Sequence, residues 1–410
     1  MSEPRRVLFL NDTARNGGPG RSLQTILCNL DPGRFHRTVV LPREDVIAQE
    51  LRRNRCVENL VIAKDLLENP FQPVERPIER EDLQAPWWLR GVRLGVNVGR
   101  TLRLGRTLPR LARSLGAELV YCNGTTADFL GALLARSLGV PALWHVRYTS
   151  VPPALVGLHQ RLARGPTVAR IVCVSHAAAA LFPTLEAKVR VVHNAVDTER
   201  FKKGVVRGCL RGAVVPEDAY VFGSMGRILP RKGYPELLRA TREALDLATE
   251  DERRRLRVVI VGDTPSDAPG DHLAECLALA RELRLEGHVL FPGFAPDVRP
   301  YLEDFDVVVL PSVYADPLPR TVLEGMAFGL PVVAFAVGGV AEMVEPGVTG
   351  ALLAPSSSPR AFGEVLLSYL RDRDKVHREG ARARAAVEEH FDARAHGRAI
   401  GAQILEALGP

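Results

Sequence analysis

Arg227 and Lys232 stand five residues apart in GSMGRILPRKGYPELLRA, where a strand-like apolar run ends and a helical pattern begins. Two fixed cations at such a junction can clamp a diphosphate, the guanidinium as a planar fork and the ammonium as a point charge. The stretch lacks the GKS ending of a P-loop. Asp316 and Glu324, in ADPLPRTVLEGMAFGLP, form a second set. Asp316 precedes a helix and Glu324 lies more than one turn inside it, so the acids reach different parts of a long ligand. A plainer reading makes Asp316 a helix N-cap before Pro317 and Glu324 an ordinary helix residue. A third set is Gly17-Gly18-Pro19-Gly20, after the strand Val7 to Leu10 and before a helix expected to begin near Arg21. Glycines let backbone N–H groups approach an anion, and the helix N-terminus adds its dipole. The run does not match the GxGxxG fingerprint. Asp304 and Asp306 have the D-x-D spacing of a metal motif, but they directly precede a buried strand, and no metal role is expected for them.

These groups need a scaffold that brings strand ends together. Short β-branched runs alternate with helical patterns along the whole chain, which predicts parallel sheets wound by crossover helices. Strands are expected at RVLFL, RTVVLP, ELVYCN, PALWHV, RIVCVS and VRVVHN, then at YVFGSMG, RVVIVG, HVLFPG, VVVLPS, PVVAFA and GALLA. The runs are uniformly apolar, so helices should cover both faces of each sheet. A charged connector at 194–218 marks the seam between two doubly wound domains, whose strand ends would face each other across a cleft. The expected boundaries are 1–198, 199–380 and a helical segment 381–410 that packs back toward the first domain.

At 410 residues the chain has room for two cores. It is 46% hydrophobic and 25% charged, the balance of a soluble globular protein, and its net charge of +6 points mildly toward anionic partners. Its six cysteines are scattered without a CxxC pair and read as small buried hydrophobes of a reducing compartment. The N-terminal apolar run is too short for a signal peptide, and nothing approaches the ~20 apolar residues of a membrane span. A cytoplasmic protein is expected. One stretch, 86–116, contains no acid, and Arg90, Arg93, Arg100, Arg103, Arg106, Arg110 and Arg113 recur there at spacings of three, four or seven beside Trp87, Trp88, Leu89, Val92 and Leu102. An anionic membrane surface, on the inner face of the plasma membrane, is a candidate partner for such a stripe, against the reading of a solvated face on a core helix. Its five glycines and Pro109 argue against one continuous helix.

Taken together, NGGPGRS, VSHAAAALF, VRVVHNAVDTERF, GRILPRKG, VVIVGD, FPGF and DPLPRTVLEGMAFGLPVVAFAVGGVAEMV resemble the retaining glycosyltransferases of family 4, in that family's order, from residue 5 to about 350. The resemblance implies the α/β GT-B fold, with an N-terminal acceptor-binding domain and a C-terminal domain for a nucleoside diphosphate sugar. It implies that Asp316, first acid of an E-x7-E-like motif, contacts the donor sugar and that Glu324 holds the ribose. Arg227 and Lys232 would bind the diphosphate with help from Gly17 and Gly18, and amides around Leu318, Pro319 and Arg320 would complete the site. His145, in WHVRYTS, would sit beside the transferred sugar, and Phe294 near the base. No metal cofactor and no nucleic-acid partner are implied. The acceptor would be a cell-surface polysaccharide or lipid-linked glycan. The chain departs from the family in Asp316, where Glu is more frequent, in DPLPR, where EPFGL is commoner, and in Arg147 and Tyr148, where an acid often follows the histidine. A sugar-nucleotide epimerase of the same fold, or a degenerate binding subunit, stays open as an alternative.

Overall fold

The computed structural model describes residues 3–12, 17–66, 87–265, 268 and 270–409, without the side chains of 87–98, 101 and 102. The side chains of Trp87, Trp88, Leu89, Arg90, Val92, Arg93 and Leu102 therefore lie outside the described residues. The chain divides into two compact units, one running to Ala195 and resuming at Ala393, the other spanning Val196–Asp392.

The first unit contains β1 (Arg5–Asn11), α1 (Gly18–Asn29), β2 (Phe35–Leu41), α2 (Val46–Arg53), β3 (Asn59–Ile62), α3 (Trp87–Ser114), β4 (Leu119–Asn123), α4 (Thr125–Leu138), β5 (Ala142–Val146), α5 (Val156–Arg164), β6 (Val168–Cys173), α6 (His176–Ala179) and β7 (Val189–Val191). Its seven strands are ordered β3-β2-β1-β4-β5-β6-β7. The pairings are parallel, and Val7 to Asn11 and the whole of β4 and β5 are buried. The chain winds outward from β1 to β3, then returns through α3 to lay β4 on the other side of β1. The order reverses between β1 and β4, where an open α/β sheet leaves a crevice at its carboxyl edge.

Several expectations need correction here. The strand β3 was not foreseen, because NLVI is short and flanked by charge. Residues 87–114 form one helix despite the glycines and Pro109. Leu104, Leu108 and Ala112 supply a buried stripe at helical spacing, and that packing outweighs weak intrinsic propensity. Helix α1 begins at Gly18 rather than near Arg21, since Pro19 in its first turn already has a helical φ. Cys28 and Cys56 are joined in a disulfide, whereas Cys122, Cys173 and Cys276 are free and buried and Cys209 is free and exposed. The β-α-β winding brings together two cysteines whose sequence spacing signals nothing.

The second unit contains β8 (Tyr220–Met225), α7 (Tyr234–Leu247), α8 (Glu250–Arg255), β9 (Leu256–Val261), α9 (His272–Glu282), β10 (Val289–Gly293), α10 (Arg299–Asp304), β11 (Val307–Leu310), α11 (Arg320–Ala327), β12 (Val332–Phe335), β13 (Gly350–Leu353), α12 (Pro359–Arg371) and α13 (Arg373–His390). Its six parallel strands run β10-β9-β8-β11-β12-β13, reversing between β8 and β11. Asp304 and Asp306 are fastening groups in this unit. Asp304 accepts from the Leu210 amide at 2.6 Å, and Asp306 accepts from Arg211 at 2.7 Å and the Val221 amide at 2.8 Å.

The stretch 381–410 divides between the units. Helix α13 closes the second, and α14 (Ala393–Leu408) packs on α1 of the first, burying Ile400 and Ile404. Gly397 sits so close to α1 that a Cβ there would lie 2.3 Å from the Asn29 carbonyl oxygen. Among the described residues no helix is long and apolar enough to cross a membrane.

A buried polar chain crosses the first unit. Tyr148 Oη lies 2.7 Å from Asp128 Oδ2 and 2.8 Å from His159 Nε2. Burial, with Asp12 nearby, raises the Asp128 pKa well above its ordinary value. The Tyr148 hydroxyl donates to Asp128, and His159 Nε2 meets the phenol oxygen. Burial lowers His159 from 6.5 to about 4. Its depressed pKa contributes stability that is complete above pH 6.5 and is lost as pH falls through 4, while Asp128, with a raised pKa, works in the opposite sense. Replacing His159 isolates its own contribution. His159→Phe should gain up to about 3 kcal/mol relative to the wild type as pH falls from 6.5 to 4, read by urea unfolding across that range. A pH-independent difference would show that His159 does not titrate between the two states.

Candidate functional site

The reversal between β8 and β11 places two loops side by side, and they carry most of the residues singled out above. The first leaves β8 at Gly226. That residue has φ +148°, and a Cβ on Gly262 of the neighbouring strand's loop would lie 1.8 Å from its carbonyl oxygen. Arg227 follows, exposed, and then Ile228, which is fully buried and anchors the loop between its two cations. Lys232 ends a short 3-10 turn, and Gly233 turns the chain into α7 with φ +70°. A Cβ on Gly233 would meet the Pro311 carbonyl oxygen at 1.8 Å, so only glycine lets the two loops touch. The Val313 amide donates to the Arg231 carbonyl at 3.0 Å and ties them further.

Lys232 Nζ reaches Asp316 Oδ2 at 2.8 Å, and the Tyr314 hydroxyl donates to the same oxygen at 3.0 Å. Both ends of the ion pair are largely buried, with side chains 16% and 11% exposed. Below them, the Tyr314 ring takes the Arg231 guanidinium carbon at 4.8 Å and Lys232 Nζ at 5.2 Å from its centroid. Burial, with Asp316 beside it, raises the Tyr314 pKa, so the phenol stays protonated and remains a donor. Asp316 is thus held through one carboxylate oxygen by an ammonium and a phenol, under a cation-π stack.

The Asp316–Pro317 turn is backed by a third loop, which follows β12. Gly339 donates its amide to the Asp316 carbonyl at 2.9 Å, and Gly338 has φ +55°. Beyond the turn, α11 begins at Arg320 with Pro319 as its N-cap and no side-chain cap, and the Val322 amide turns back to the Pro319 carbonyl at 3.3 Å. Leu318 is buried. Arg320 Nε and Glu324 Oε1 form an i,i+4 pair at 3.4 Å, with side chains 13% and 14% exposed. Phe294 follows β10, the outermost strand, and is 61% exposed.

Gly17, Gly18 and His145 belong to the first unit. Gly17 caps α1 with extended backbone, and a Cβ on either glycine would meet nothing within 4 Å. His145 lies in β5, fully buried, with Nδ1 bonded to the Tyr121 hydroxyl and 3.3 Å from Arg147 Nη2. The structure therefore brings Lys232 to Asp316 and Arg320 to Glu324, while it keeps the glycine turn and His145 on a different sheet. Tyr314, Arg231 and the Gly338-Gly339 pair were not singled out in the sequence. The available signal was an aromatic residue two positions before Asp316 and paired glycines after the strand beside β11.

Family models match most of the chain. Glycosyltransferase Family 4 matches residues 46–200, and Glycosyl transferases group 1 matches residues 211–386. The D-inositol 3-phosphate glycosyltransferase of Kribbella flavida is 36% identical over 218 residues, 52% of this chain and 49% of that protein. The putative colanic acid biosynthesis glycosyltransferase WcaL of Escherichia coli is 29% identical over 229 residues, 54% of this chain and 52% of the relative. The chain thus spans about half the length of these curated relatives. The crystal structure of Anabaena HepE in complex with UDP and glucose superposes with a TM-score of 0.75 at 21% identity, covering 98% of this chain and 99% of that one. The fold is that of the GT-B glycosyltransferases. The chain belongs to glycosyltransferase family 4.

The turn that carries Asp316 makes a direct prediction. A Cβ on Gly339 would stand 2.0 Å from the Pro317 carbonyl oxygen, so Gly339→Ala should destabilise the protein by about 1–3 kcal/mol in urea unfolding. An unchanged midpoint would mean that the Asp316–Pro317 turn yields without cost.

Proposed function

We propose that the protein transfers a sugar from a nucleoside diphosphate sugar to an acceptor hydroxyl with retention of anomeric configuration. The observation that carries this reading is the Lys232–Asp316 pair, braced by Tyr314 at the reversal of the second sheet and adjoining the start of α11. In this reading Asp316 offers its other carboxylate oxygen to a donor-sugar hydroxyl, and Glu324 takes the ribose hydroxyls. Arg227, Lys232 and the amides of α11 receive the diphosphate, with Gly17 and Gly18 adding backbone donors. Phe294 lies toward the base, and His145 beside the sugar. The acceptor oxygen attacks C1 from the face that the diphosphate leaves, its proton passes to the departing phosphate oxygen, and neither acid forms a covalent bond to the sugar. Charge growing on the diphosphate is met by the two cations and the helix amides, so the step needs no divalent ion. UDP in the Anabaena structure makes UDP-sugars the first donors to test.

Lys232→Ala should lower transfer at least about 100-fold, with circular dichroism unchanged, when nucleotide release from UDP-, GDP- and ADP-sugars is followed with glycan acceptors. Full retention of activity would end this assignment.

The acceptor class we favour is a cell-surface polysaccharide or lipid-linked glycan, met in the cytoplasm at the inner membrane face. The relationship to WcaL supports the first. The basic face of α3 supports the second. Arg103, Arg106, Arg110 and Arg113 are exposed there and Arg100 is half-buried, with Arg100 and Arg103 each 3.9 Å from Asp65. Liposome co-sedimentation should require anionic lipid and weaken as salt rises. Equal recovery with neutral vesicles would exclude the basic face as the anchor.

A further inference from the structure

The edge of the first sheet opposite the glycine turn carries a different chemistry. Helix α1 leads from the carboxyl end of β1 to the amino end of β2, and Cys28, in its last turn, lies about 15 Å along the axis from Gly18. Cys56 stands between α2 and β3, and its sulfur is bonded to that of Cys28, with the Cα atoms 4.6 Å apart. The two halves differ in access. Cys28 is exposed, whereas Cys56 is only 5% exposed. An incoming thiolate therefore reaches one sulfur of the bond and not the other.

The bond is not the only tie between the segments that carry it. Arg37 of β2 is buried and donates through Nη1 to the Leu27 carbonyl at 2.8 Å and to the Leu30 carbonyl at 3.2 Å, on either side of Cys28. Its Nη2 and Nε reach the Glu58 carboxylate, two residues beyond Cys56, at 2.6 and 3.2 Å. The Arg21–Glu50 ion pair joins α1 to α2, and Gly397 of α14 rests against Asn29, the neighbour of Cys28. None of these contacts uses either sulfur, so they persist when the bond opens. The two thiols then stay within reach of each other, and closure is an intramolecular step at high effective concentration. Arg55, exposed and next to Cys56 in the chain, adds positive charge near the sulfur that must depart as a thiolate.

We propose that Cys28 and Cys56 form a reversible thiol–disulfide exchange site, entered at Cys28 by a dithiol reductant, whose opening loosens the first unit without unfolding it. A thiolate of the reductant attacks Cys28 Sγ, the S–S bond breaks, and Cys56 leaves as a thiolate and takes a proton. The second thiol of the reductant then attacks the reductant's own sulfur in the mixed disulfide and releases Cys28. Two electrons and two protons pass to the protein, and the reductant ends as its disulfide. Closure runs by the same two exchanges in reverse, with glutathione disulfide as the oxidant and two molecules of glutathione as its product. Because the bond joins residues 28 apart in sequence, opening it gives freedom mainly to the unfolded chain.

The full chain, first oxidised with glutathione disulfide, is treated with dithiothreitol without denaturant, quenched with N-ethylmaleimide and mapped by peptide mass spectrometry. Cys28 should be unlabelled before reduction and labelled after it, faster than Cys56. Circular dichroism should be unchanged, and the melting midpoint should fall by about 5 °C or more. Removing the dithiol and adding glutathione disulfide should restore both the Cys28–Cys56 crosslinked peptide and the original midpoint. Cys28→Ser and Cys56→Ser should melt at the reduced value in either buffer. Cys209→Ser should respond as the wild type does, which excludes the exposed free thiol as the source. The proposal is overturned if opening the bond requires denaturant, if the reduced chain loses its dichroism or melts unchanged, or if oxidation fails to join Cys28 to Cys56. None of these readouts depends on the transferase reading.

Discussion

Lys232 and Asp316 are separated by 84 residues in the chain and 2.8 Å in space, and much of the second unit follows from making that contact possible. The two side chains arrive on loops from β8 and β11, which become neighbours only because the winding reverses between them. A buried ion pair gains little stability by itself, because desolvation offsets attraction. Here the cost is met by a phenol on the same carboxylate oxygen and an aromatic face beneath the ammonium. Glycines at 233, 338 and 339 allow the backbones to approach within bonding range. The arrangement favours a defined position for Asp316 over maximal stability.

Much of this architecture was legible in the sequence, for a physical reason. Parallel strands buried on both faces must be apolar throughout, and the crossovers between them must be helical, so alternation alone reveals two wound sheets. The motif residues at strand ends could be read because a strand-to-helix junction is where backbone amides and cations converge. What stayed hidden depended on contacts distant in sequence. Tyr314 becomes meaningful only when its hydroxyl is seen on Asp316, and Cys28 meets Cys56 only after β2 has been laid down. Helix α3 persists through glycines and a proline because Leu104, Leu108 and Ala112 are held from outside, which local propensity cannot report.

The same logic explains the roles of individual acids. Asp304 and Asp306 have the spacing of a metal motif, yet they tie a preceding loop to the start of the sheet, since they sit at the amino end of β11 rather than its carboxyl end. Asp316, at the other end of that strand, faces the crevice side. Position along a parallel strand, more than residue type, separates groups that fasten the sheet from groups at its carboxyl edge.

The return of α14 to the first unit has a consequence for biogenesis. That unit is assembled from two stretches of chain with all of 196–392 between them, so α1 lacks its covering helix until residues 393–408 have been synthesised. The second unit, continuous in sequence, can complete its core first. The core of the first unit then waits on a helix that follows the second in sequence.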